Sequence, residues 1–108
     1  MAKLERELNK DFDVLLSEIE RGILQGSVSA SLEASSDFES NGARCSVRIF
    51  ERYSYMGGNR LSLSVTLFKD ADGPVYLSAV ASGGSQAVFF KVNTWGEESF
   101  LEKLEELL

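Results

Sequence analysis

The feature that most constrains this chain is a change of hydrophobic period, from 3.6 to 2 and back to 3.6, within a length of 108 residues. From Asp11 onward, Phe12, Leu15, Leu16, Ile19 and Ile23 fall on one stripe of an amphipathic helix, which Asp11 can cap and Gly26 can close. Gly22 interrupts that helix and reads as a point of close packing against a strand. After Gly26 the period becomes two. Val28, Ala30, Leu32 and Ala34 alternate with Ser27, Ser29, Ser31 and Glu33, then Asn41-Gly42 supplies a turn before Ala43, Cys45, Val47 and Ile49 resume the alternation. Leu61, Leu63, Val65 and Leu67 mark the cleanest strand, Val75, Leu77, Ala79 and Ala81 the next, and residues 87–92 a last one. Thr94 and Glu97 have the spacing of a capping box, behind which Phe100, Leu101, Leu104, Leu107 and Leu108 return to helical spacing. Residues 3–8 fit either a backward extension of the first helix or an edge strand, and we favour the strand.

This order predicts an α+β fold: an antiparallel meander of five to six strands, with an N-terminal and a C-terminal helix packed on one face as a two-layer sandwich. Residues 1–108 form one domain on this reading. A chain of 11.9 kDa buries about 65% of its unfolded surface, enough for one core.

Composition removes several function classes. There are no histidines, so serine–histidine and cysteine–histidine catalysis are excluded, and no metal or cofactor is expected. The one cysteine, Cys45, cannot form an intramolecular disulfide and suits a reducing compartment. Apolar runs such as Ala87-Val88-Phe89-Phe90 are too short to cross a membrane, and residues 1–8 lack the apolar stretch of a secretory signal, so a cytoplasmic location is expected. With 11 basic and 17 acidic residues the net charge is −6, which disfavours nucleic acid as a partner. The charges are segregated. Arg44, Arg48, Arg52 and Arg60 are opposed by Glu51 alone, whereas Glu97, Glu98, Glu102, Glu105 and Glu106 meet only Lys103.

If Cys45, Val47 and Ile49 face the core, the second sheet face carries Arg44, Ser46, Arg48, Phe50 and Arg52, then Arg60, Ser62, Ser64, Thr66 and Phe68, then Tyr76 and Ser78. Small hydroxyls interleaved with Phe50, Phe68 and Tyr76 suit a flat contact with another sheet or a ligand. A back-to-back homodimer is the expectation, and an open sheet with scattered apolar residues is the alternative. The four arginines could grip an acidic protein or an anionic small molecule, or be solvated or held in cross-strand ion pairs. The same parity points Glu51 inward beside Tyr53, unless a β-bulge near Phe50 turns it outward. Asp70-Ala71-Asp72-Gly73 reads as a hairpin turn rather than a calcium loop, and Ser82-Gly83-Gly84-Ser85-Gln86 as a weak anion cradle. Trp95 either packs across the end of the sheet or lines a pocket mouth.

The stretches Glu51-Arg52-Tyr53-Ser54-Tyr55-Met56-Gly57-Gly58-Asn59-Arg60 and Ser82-Gly83-Gly84-Ser85-Gln86-Ala87-Val88-Phe89-Phe90-Lys91-Val92-Asn93-Thr94-Trp95-Gly96-Glu97-Glu98, with Gly26-Ser27-Val28-Ser29-Ala30-Ser31-Leu32-Glu33, resemble a small family of uncharacterised single-domain proteins of Gram-positive bacteria. The resemblance spans nearly the whole chain. It implies a bacterial cytoplasmic setting and brings no catalytic residues with it. The leading functional expectation is therefore a non-catalytic binding domain that self-associates through its sheet face. The alternative is a small-molecule binder of helix-grip-like architecture, holding an apolar or anionic ligand near Trp95, Glu51 and Tyr53. A third reading is an enzyme that uses Glu51 with Tyr53 or Arg52.

Overall fold

A computed structural model describes residues 1–53, 60–83 and 97–108 in full and residues 90–96 as backbone. The element order is β1 (Ala2–Leu8), α1 (Phe12–Gly26), β2 (Ser31–Ser40), β3 (Ala43–Tyr53), β4 (Arg60–Lys69), β5 (Val75–Gly83) and α2 (Phe90–Glu105). The fold is α+β: five antiparallel strands in one open sheet, ordered β1-β5-β4-β3-β2, plus two helices. Strands β2 to β5 follow the expected meander. Residues 3–8 are a strand, and β1 pairs with β5 at the far edge, from Ala2 opposite Ala81 to Leu8 opposite Val75. The last strand expected at 87–92 is corrected over 90–92, while residues 87–89 lie outside the described residues. The edge of β5 is already taken, and residues 90–92 belong to α2. Thr94 consequently lies inside a helix rather than capping one. The Gly57-Gly58-Asn59 turn, the Ser85-Gln86 segment and the Trp95 side chain lie outside the described residues.

Local chemistry explains the elements that were anticipated. The Asp11 side chain accepts the Val14 N–H at 3.0 Å, so α1 starts at its cap. Asn41 and Gly42 have φ of 51° and 84°, the two positive values that a two-residue hairpin needs to match the twist of its strands. Ser40 then faces Ala43, which locks the β2/β3 register.

One buried cluster joins Phe12, Leu15, Ile19 and Ile23 of α1, Phe100 and Leu104 of α2, and one parity of the central strands: Phe50, the stripe from Leu61 to Leu67, and Leu77, Ala79 and Ala81. Glu97 is buried with them, its carboxylate accepting the Gly83 N–H at 2.8 Å, so it fastens α2 to the end of β5. Gly22 packs closely, as expected, but against a different partner. A Cβ there would stand 2.9 Å from Cγ of Leu107, so the glycine makes room for the Leu107 side chain.

Two strands depart from the reading of their alternation. In β3 the parity is reversed. Phe50 pairs with Leu63, Arg48 with Val65 and Ser46 with Leu67, so the even-numbered residues share the helix-facing side with the leucine stripe of β4. Phe50 is 0% exposed, and Cys45, Val47, Ile49 and Glu51 stand on the opposite face. The cause is size and satisfaction. Phe50 is the largest apolar side chain in the strand, and the arginine stems beside it are apolar while the head of Arg48 finds carboxylates at the rim and that of Arg52 finds Ser99 and Phe100. In β2 the strand begins only at Ser31, Val28 is fully exposed, and residues 32–40 are exposed throughout. A register shift between Leu32 and Ala34 moves Ala34 to the open side, so the bulge expected in β3 is found in β2 instead.

Candidate functional site

The arginine stripe is built into the fold. On β3 the guanidinium of Arg44 makes two hydrogen bonds to Asp13 of α1, at 2.7 and 3.0 Å, and lies 4.3 Å over the ring of Phe12. Arg48, 7% exposed, donates to Glu20 of α1 at 2.6 Å and pairs with Asp37 of β2 at 3.0 Å. Arg52 stacks 4.4 Å over Phe100 and donates to the Ser99 hydroxyl at 3.2 Å. Arg44, Arg48 and Arg52 therefore stitch the helices to the sheet on the side opposite Phe68 and Tyr76. They do not line the face they were expected to share. Arg60, on the open side, pairs with Glu51 and lies 5.8 Å from the centre of the Tyr53 ring. Glu51 and Tyr53 are thus on the open face too, away from the space between sheet and helices.

These contacts set the charge states. The hydrogen bonds from Arg44 hold the Asp13 carboxyl below its ordinary 3.8. Those from Ser46 and then Arg48 do the same for Asp37. For Arg48, burial works against the charged form, but Glu20 and Asp37 outweigh it and leave the guanidinium more basic than usual. A carboxylate lowered in the folded state stabilises it fully above its unfolded pKa and loses that contribution as pH falls through the folded value. Asp13 and Asp37 should therefore add nothing to the pH dependence of stability between pH 7 and pH 5. They should steepen the loss below about pH 4. Urea titrations monitored by circular dichroism check this: Asp37→Asn is expected to flatten the acid limb, and an unchanged limb would mean that Asp37 is not ionised in that network.

The open face has its own organisation. The registers place Phe38, Cys45, Phe68 and Tyr76 directly opposite one another across β2, β3, β4 and β5, a row continued by Glu7 of β1. Phe38 is 66% exposed, Phe68 43% and Tyr76 48%. The last two rings stack with centroids 6.4 Å apart. Beside this row lie Ser36, Val47, Thr66 and Ser78, and then Ala34, Ile49, Ser64 and Val80. A shallow depression of about 470 Å³ sits over β4, β5 and β1, lined by Glu5, Glu7, Thr66, Phe68, Tyr76 and Ser78, with Arg6 and Leu77 at its edge. Of the residues anticipated as a surface, Phe68, Tyr76 and Arg60 are on this face, while Phe50 and three arginines are not. Phe38 was missed. Its signal was present in Asn41-Gly42, because a two-residue turn places the residue three before it opposite the residue three after it, which is Cys45.

Among the described residues no group of three or more His, Cys, Asp or Glu side chains could hold a metal ion, and no helix is long and apolar enough to cross a membrane. The sequence matches the family of unknown function DUF6054 over residues 1–108. The chain belongs to that family. No curated protein and no solved structure matches it. The open face of this DUF6054 chain joins an apolar row to a field of short hydroxyls, and of the four arginines between residues 44 and 60 only Arg60 stands on it.

Proposed function

We propose that this DUF6054 protein is a non-catalytic binding domain of the bacterial cytoplasm that self-associates through its open sheet face. The observation that carries this reading is the row of Phe38, Cys45, Phe68 and Tyr76 across four strands. Lone exposed apolar residues need no explanation, but a contiguous apolar row with three aromatic rings is a surface that association would cover. The residues around it are suited to a second sheet. Serine and threonine are short enough for two sheets to approach to about 10 Å, which long charged side chains would prevent. Strands β2 to β5, about 4.8 Å apart and each lending about eight residues of about 3.3 Å, give a face of about 500 Å². That is the size of a small interface, below the ~800 Å² per partner of the standard class. The Glu51 and Arg60 pair adds opposite charges to one end of the face, which a two-fold axis can set against the partner's. The guanidiniums of Arg44, Arg48 and Arg60 are already matched by carboxylates of the same chain. Binding of an anionic partner therefore has less to recommend it than pairing with a second copy. A ligand held between sheet and helices would have to displace Phe50, Leu15, Ile19 and Phe100, which fill that space.

Sedimentation velocity over a dilution series tests the reading. The expected result is a dimer that dissociates on dilution, with Phe68→Ala and Tyr76→Ala weakening association at least about tenfold while leaving the circular dichroism spectrum unchanged. A monomer at millimolar concentration, or a dimer indifferent to both substitutions, overturns it.

A further inference from the structure

The two edges of the sheet are not equivalent. β1 is protected: Lys3, Glu5, Arg6 and Glu7 set charges on both of its faces, and Arg6 pairs with Glu105 of α2. β2 is hydrogen-bonded to β3 alone, and its ten residues include no lysine, arginine or proline. Its one irregularity, between Leu32 and Ala34, leaves residues 34–40 in unbroken register with β3. A flat strand of seven residues, about 23 Å long, thus turns a row of backbone donors and acceptors outward. Residues 32–40 are exposed on both faces of the sheet as well as along its edge.

We infer that β2 receives an extended segment of another protein as a sixth strand, and that this segment is basic. Main-chain pairing would supply affinity, and the side chains flanking it would supply selectivity. On the helix-facing side an added strand runs beside Ser35, Asp37 and Glu39, and on the open side beside Ala34, Ser36 and Phe38. In the first set Asp37 is already paired with Arg48, and Glu39 calls for lysine or arginine; the second set calls for small or apolar residues, so the segment alternates basic with apolar. Glu33 and Glu39 close no ion pair among the described residues, and both are exposed. A second copy of the chain is the wrong occupant for this edge. With Glu33, Asp37 and Glu39 and no cation on β2, pairing it with itself would set three carboxylates against three. The backbone edge is distinct from the contact proposed above, which buries the open face; the two surfaces meet at Phe38.

The test uses the intact protein, labelled with ¹⁵N, and a short blocked peptide alternating lysine with valine. Amide shift changes should be confined to residues 34–40 and the adjoining part of β3, with sub-millimolar affinity and slowed amide exchange along β2. The same peptide with glutamate for lysine should fail to bind. Glu33→Lys combined with Glu39→Lys should weaken binding about tenfold or more without altering the spectrum of the core or the oligomeric state. Phe68→Ala should leave peptide binding unchanged. Equal binding of both peptides, shift changes on the open face alone, or β2 amides already protected in the free protein by a concentration-dependent contact would each overturn the inference.

Discussion

Phe50→Ala should lower the stability of the protein by about 3–5 kcal/mol, the cost of removing a buried phenylalanine from a core that cannot close over the space. A domain of this size has about 5–15 kcal/mol in total, so the variant should be largely unfolded at modest urea concentrations. The position gives little scope for collapse. Phe50 is fully buried, faces Leu63 across the ladder and is flanked on its own strand by Arg48 and Arg52, whose heads are anchored to Glu20 and to Ser99 and Phe100. Moving either stem into the void would break those anchors. Urea unfolding followed by circular dichroism measures the effect as a fall in midpoint with an unchanged slope. Phe68→Ala, on the open face of the neighbouring strand, provides the contrast. Its monomer should lose no more than about 1 kcal/mol. Equal losses at the two positions would mean that the open face is itself part of the core.

The reversal of β3 shows where pattern reading reached its limit. α1, the alternation of β4 and β5 and the Asn41-Gly42 hairpin were legible because each states its own geometry: a capped 3.6-residue stripe, leucine and valine on one side only, a dipeptide made for positive φ. β3 states two geometries at once. Its odd positions offer Cys45, Val47 and Ile49, medium-sized and apolar; its even positions offer one phenylalanine among arginines and serine. Counting apolar residues selects the odd side. The fold selects the even side because arginine is apolar for most of its length, and Asp13, Glu20 and Asp37 stand at the rim where the guanidiniums emerge. Asp13 and Glu20 are distant in sequence, 28 residues in the case of Arg48 and Glu20, so no local pattern contains their part of the information; only Asp37 lies within the same hairpin. The functional reading moved with the parity. The serine-rich open face was legible from β4 and β5, whereas its apolar row required Phe38 and Cys45, and hence the register.

The second large effect is an asymmetry at Arg48. Removing both carboxylates, as Glu20→Ala with Asp37→Ala, should cost about 3 kcal/mol, whereas Arg48→Met should cost no more than about 1. The double substitution leaves a buried guanidinium with only the carbonyl oxygens of Val47 at 3.0 Å and Ser36 at 3.3 Å as acceptors. A charge taken from water must be matched, and two neutral carbonyls do not match it. Replacing the arginine instead leaves two carboxylates that are themselves partly solvated, with side chains 33% and 59% exposed, and these can rehydrate where they stand. Methionine keeps the unbranched stem that packs beside Phe50, so little apolar contact is lost. Paired urea titrations of the two variants decide the matter. If Arg48→Met were as damaging as the double variant, the ion pairs would be a net source of stability, and the arginines of β3 would be selected for strength. The expected inequality makes them a device of register: Arg44, Arg48 and Arg52 fix which side of β3 faces the helices, and so which side is left open.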